Sequence, residues 1–98
     1  MTIDDIKRRN RDAGKYFFEP ATMRFFQSRV HDTVYEGPGG VYFVTSEQFR
    51  DTRGYCGSRN YTVRHFHEDS GDITTVGPFN EYSYHEAHQK ARRMAENW

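Results

Sequence analysis

Ninety-eight residues with Lys+Arg and Asp+Glu balanced at 14 each give a chain of zero formal net charge, enough for a single domain with one modest hydrophobic core. The charge balance excludes a strongly basic nucleic-acid binder and an acidic mimic of DNA. A lone cysteine, Cys56, excludes an intrachain disulfide, and no apolar run approaches the roughly 18–20 residues of a membrane span.

The amino terminus is charged from Asp4 onward and does not read as a signal peptide, so a reducing cytoplasm is the expected setting. The apolar inventory has no Leu, three Ile, six Val and three Met, against fifteen Phe and Tyr and one Trp. A mean hydropathy of −1.02 would by itself suggest disorder. An aromatic content of 16% argues for a fold instead, because disordered chains lack such residues. Rings that each bury about 150–250 Å² must then supply much of the core. Arg outnumbers Lys eleven to three. That skew suits planar, stacked recognition, and a GC-rich genome would produce it too.

Residues 2–13 read as a short amphipathic helix. Thr2 caps it, Asp4 and Asp5 complement its dipole, Lys7, Arg8, Arg9 and Arg11 follow, and Gly14 stops it. Its apolar stripe is thin: Ile3, Ile6 and Ala13. Tyr16-Phe17-Phe18 is an apolar run. Pro20 opens a second short helix through about Gln27, with Met23, Phe26 and Phe25 as inward candidates. Strands then take over. Arg29–Glu36 and Val41–Thr45 form a hairpin around Gly37-Pro38-Gly39-Gly40. Glu47–Arg59 reads as a long polar loop, Tyr61–His67 as a third strand, 68–72 as a tight turn, and Ile73–Val76 as a fourth strand. The last helix opens on a capping box, Ser83 with Glu86. Tyr84, Ala87, Ala91, Met94, Ala95 and Trp98 lie along one of its faces. Short connections make the sheet a meander. The fold class is α+β: one domain over 1–98, a four-stranded antiparallel meander packed by two short N-terminal helices and a C-terminal helix.

Three stretches together carry a resemblance: residues 17–26, residues 35–48, and Tyr61-Thr62-Val63-Arg64 with Gly71-Asp72-Ile73 and Thr75-Val76-Gly77. Over roughly residues 15–95 the chain resembles a family of short uncharacterised proteins of bacteriophages and other mobile elements. The resemblance implies a setting and assigns no residue roles. Small proteins of that setting often bind a host protein, including as inhibitors of host defences such as CRISPR systems.

Catalytic and metal chemistry have weak signals. His65 and His67 share a strand face, with His31 or Cys56 as possible completing ligands, and His85 and His88 share a helix side. No paired Cys/His spacing is present, and the five histidines are read as partly exposed polar residues. Cys56 lies in a loop between Gly54 and Gly57 without a base placed against it, unlike a catalytic nucleophile. The carboxylates at 68, 69 and 72 are what a tight turn requires. No catalytic residue, metal or cofactor is assigned.

The sheet has two possible arrangements. Helices on one face would leave aromatic and Arg side chains displayed on the other; helices and the 47–59 loop would otherwise cover both. On the first arrangement the chain is a non-enzymatic protein that covers a host protein or ribonucleoprotein complex, through Tyr42, Arg50, Arg53, Tyr55, Arg59 and Arg64. The alternative is a single-stranded nucleic-acid module using the sheet, Lys7-Arg8-Arg9-Arg11 and Lys90-Arg92-Arg93. An enzyme ranks last.

Overall fold

The computed structural model describes residues 1–25, 28–48, 57 and 59–97. Its elements run α1 (Ile3–Asp12), α2 (Pro20–Phe25), β1 (Arg29–Gly37), β2 (Gly40–Glu47), β3 (Asn60–Phe66), β4 (Ile73–Val76) and α3 (Tyr84–Glu96). The four strands form one antiparallel sheet in the order β1-β2-β3-β4. The fold is therefore the α+β meander expected from the pattern. Phe26, Gln27 and Trp98 lie outside the described residues.

Both long helices begin where capping chemistry dictates. The Thr2 hydroxyl accepts from the Asp5 N–H, while the Asp5 carboxylate accepts from the Thr2 N–H. The Thr2 N–H and hydroxyl, both donating to the Asp5 carboxylate and aided by Arg8, hold that carboxyl below its ordinary pKa. Ser83 and Glu86 make the same reciprocal pair at the start of α3.

Helices cover both faces of the sheet. On one face, Ala87, Ala91 and Ala95 of α3 meet Tyr42, Val44 and Val63, all buried. Small side chains at four-residue spacing let the helix backbone lie close on the sheet. On the other face, Ile3 and Ile6 of α1 meet Val41, Phe43 and Phe66, with Phe17 and Phe18 packed around them. The Phe17 and Phe18 rings lie 6.3 and 5.9 Å from that of Phe43. Burying each such ring contributes about 1.5–3 kcal/mol.

Helices therefore cover both faces and the displayed face is corrected; residues 49–56 and 58 of the 47–59 loop lie outside the described residues. One inward assignment on α3 is also corrected: Tyr84 is 55% exposed. It stands in the first helical turn, at the rim beyond the alanine stripe, where it packs on Tyr61 and His88. Glu47, placed at the start of the loop by its polarity, instead ends β2 opposite Asn60 and is fully buried.

Close backbone approach explains the glycines of the first hairpin. The Gly39 N–H donates to the Ala95 carbonyl at 2.9 Å. A Cβ at Gly39 would run into the Met94 and Asn97 carbonyls. The turn thus clamps the C-terminal end of α3.

Candidate functional site

The strongest surface feature lies beside α1. Asn10 sits on the buried side of that helix and ties three segments together. Its amide nitrogen donates to the Gly71 carbonyl at 2.8 Å, and its side-chain oxygen accepts from the Phe17 N–H at 2.7 Å. The Asn10 carbonyl also accepts from the Lys15 N–H at 3.1 Å. These bonds fold the chain sharply after α1 and hold Tyr16 at φ 55°, the left-handed region that costs an ordinary side chain about 1–2 kcal/mol. The Tyr16 ring is 56% exposed.

Tyr16 borders a cleft of about 510 Å³ that Phe18, Pro20, Lys7, Arg8 and Arg11 also line, a volume within the usual range for small-ligand or side-chain pockets. Its charge is mixed, because Asp4 and Glu19 share the lining. Arg8 pairs with the half-buried Asp5 at 3.1 Å, and exposed Arg11 with exposed Asp12 at 3.8 Å. The Lys7 ammonium stands 5.9 Å from the Phe18 ring centre. The cleft thus offers an apolar floor, an exposed ring and a cationic rim.

A second constellation is internal. Glu47 accepts from Thr45 Oγ1 at 2.6 Å, Thr62 Oγ1 at 2.8 Å and Arg64 Nη2 at 3.1 Å. Arg64 also donates to Thr45 and Thr75, and its guanidinium lies 5.2 and 5.4 Å from the centres of the Phe17 and Phe79 rings. Burial pulls the Arg64 pKa below its ordinary value, and the Glu47 carboxylate opposes that pull. With its amide nitrogen turned toward them, Asn80 donates to the Asn60 and Glu47 carbonyls at 3.1 Å each. Every described buried side-chain polar atom has a partner. The network satisfies itself and points nothing outward.

The expected contact residues scatter. Tyr42 is corrected to a core residue: it is 3% exposed, its hydroxyl donates to the Gly39 carbonyl, and its ring stacks on His65 at 4.4 Å. Arg64 is corrected likewise, on the opposite face, where its side chain is 11% exposed and paired with Glu47. Arg59 is half-buried and donates to the Ser46 carbonyl and hydroxyl at 3.1 Å each. Arg50, Arg53 and Tyr55 lie outside the described residues, as does Cys56.

Of the histidines, His67 bonds Thr74 at 2.8 Å beside His65, and His31 meets His88. Among the described residues, no three His, Cys, Asp or Glu side chains form a metal-binding group, and no helix is long and apolar enough to cross a membrane.

These features define a class: a four-stranded antiparallel meander between helical layers, with an aromatic-floored cleft at the first helix. The chain belongs to DUF7447, a family of unknown function, whose model matches residues 2–93. No curated protein and no solved structure matches it.

Proposed function

We propose that this chain is a small non-enzymatic protein of the cytoplasm that binds a host protein or ribonucleoprotein complex, and that it inhibits a host defence system in doing so. The host setting rests on the resemblance of residues 17–26, 35–48, 61–64, 71–73 and 75–77 to short uncharacterised proteins of bacteriophages and other mobile elements. The binding reading rests on one observation: an exposed Tyr16, held in left-handed backbone, beside a cleft with a Phe18 floor and a Lys7, Arg8 and Arg11 rim. Strained residues concentrate where function requires them. Exposed Tyr and Arg around an apolar centre are the side chains that carry binding energy at protein interfaces. The contact surface proposed here replaces the sheet face with the α1 edge.

The test is affinity capture from host lysate with wild-type protein and with Tyr16→Ala and Arg11→Glu, each first shown to be folded. The reading expects one partner held by wild-type protein and lost by at least tenfold in the variants. A partner retained equally by the variants, or none at all, contradicts it.

Lys7, Arg8 and Arg11 next to the Tyr16 ring also favour a second reading, single-stranded nucleic acid with a base stacked on Tyr16 and phosphates on the rim. Asp4 and Glu19 in the same lining oppose it. Fluorescence anisotropy with single-stranded oligonucleotides decides: this reading requires binding that weakens steeply with salt.

A further inference from the structure

Away from the α1 cleft, two histidines from different elements converge. His31, on β1, and His88, in the second turn of α3, bring Nδ1 and Nε2 to 3.4 Å. Tyr35 meets the other ring nitrogen of His88, Oη to Nδ1 2.9 Å. Tyr61 and Tyr84 pack against His31, with ring centres 5.3 and 5.7 Å away. We propose that His31 Nδ1 and His88 Nε2 form a binding site for a divalent first-row transition ion, with zinc as its representative, and that Tyr35 orients His88 for that role.

The geometry admits a shared ion as well as an N–H···N bond. Two nitrogens at about 2.05 Å from a tetrahedral zinc ion stand about 3.3–3.4 Å apart, and the observed separation is 3.4 Å. A straight hydrogen bond at that separation would put the imidazole centres about 5.7 Å apart. Rings converging on a tetrahedral ion stand about 5.2–5.3 Å apart, and the observed distance is 5.2 Å. The nitrogen separation and the ring-centre distance are thus both compatible with an ion shared between the two rings.

The surroundings agree with ligation. A metal-bound imidazole characteristically donates its other N–H to a fixed oxygen, which sets tautomer and ring orientation. Tyr35 Oη is placed to accept from His88 Nδ1. Ligation needs neutral rings. A cleft of about 360 Å³ lined by Tyr35, His85, His88 and Arg92 opens His88 to solvent. No third described His, Cys, Asp or Glu joins the pair, so water completes the coordination. The affinity is then far below that of a four-ligand structural site. Imidazole pairs suit zinc, copper and nickel better than calcium or magnesium.

The test is calorimetric titration of the untagged full chain with zinc chloride in a non-chelating buffer near neutral pH. It is run beside two-dimensional NMR of the ¹⁵N-labelled imidazoles. The proposal expects one saturable zinc per chain, with the His31 Nδ1 and His88 Nε2 resonances moving and those of His65, His67 and His85 unmoved. His31→Ala and His88→Ala should each weaken binding at least tenfold, Tyr35→Phe several-fold, and His67→Ala and Cys56→Ser not at all. Absence of saturable binding overturns the proposal. So does zinc that shifts His65 and His67 instead, or binding that survives in His31→Ala and disappears in Cys56→Ser. The NMR readout on wild-type protein keeps the test decisive if either alanine variant fails to fold.

Discussion

Glu47 and Arg64 meet at 3.1 Å across the β2–β3 ladder, the carboxylate fully buried and the guanidinium between the Phe17 and Phe79 rings. Thr45 and Thr62, paired opposite each other in the sheet, complete the carboxylate's hydrogen bonds. The ion pair therefore pins the amino-terminal aromatic segment, the sheet and the segment before α3 to one another.

Removing one member leaves the other charge buried without its counterion, which costs about 3–5 kcal/mol. Glu47→Ala should lose about that much in urea denaturation. Glu47→Gln, which keeps one acceptor oxygen for Thr45 and Arg64, should lose less. A Glu47→Ala loss under about 1 kcal/mol, the scale of an exposed pair, would contradict this role.

Stability should fall on mild acidification. His31, His65 and His88 all have pKa values lowered chiefly by burial, with Arg59, His67 and His31 respectively adding to the effect. Each group's folded pKa lies below its unfolded one, so the unfolded chain binds more protons in the window between them. The stabilisation is complete above about pH 6.5 and is lost as pH falls through the folded values. Urea midpoints from about pH 7.5 down to about pH 5 should decline, and His88→Gln should flatten the slope. A flat profile in the wild-type protein would contradict the buried, neutral state of these rings.

Tyr16 should show stability and binding moving in opposite directions. Asn tolerates left-handed backbone better than Tyr does, and an exposed ring gives up little packing. Tyr16→Asn should therefore gain up to about 1 kcal/mol, or about 4–8 °C in Tm per kcal/mol for a domain of this size. The same substitution should abolish partner capture. A variant that is destabilised, or that still binds, contradicts a ring held under strain for contact.

The element order was legible because its signals were local. Both helix starts carried capping residues, and Gly37-Pro38-Gly39-Gly40 marked the hairpin. The contact surface was not legible, because it depends on what covers each sheet face. Alternation sorts the residues within each strand onto two faces, yet gives no sign that α3 seals one face, with Tyr42, and α1 the other. Asn10 had a readable signal: it falls on the same helical stripe as Ile3 and Ile6, a polar residue where an apolar one belongs. Glu47 had one too, continuing the inward alternation Val41, Phe43, Thr45. The strain at Tyr16 and the meeting of His31 with His88 across 57 residues are tertiary outcomes that no spacing announces.

Hydrogen–deuterium exchange of the chain alone and bound to its captured partner tests the binding reading most directly. The account predicts that protection on binding concentrates in residues 4–20, around Lys7, Arg11 and Tyr16, with the α3 surface unchanged. Protection confined to α3 or to residues 48–59, with 4–20 exchanging as in the free chain, would contradict it.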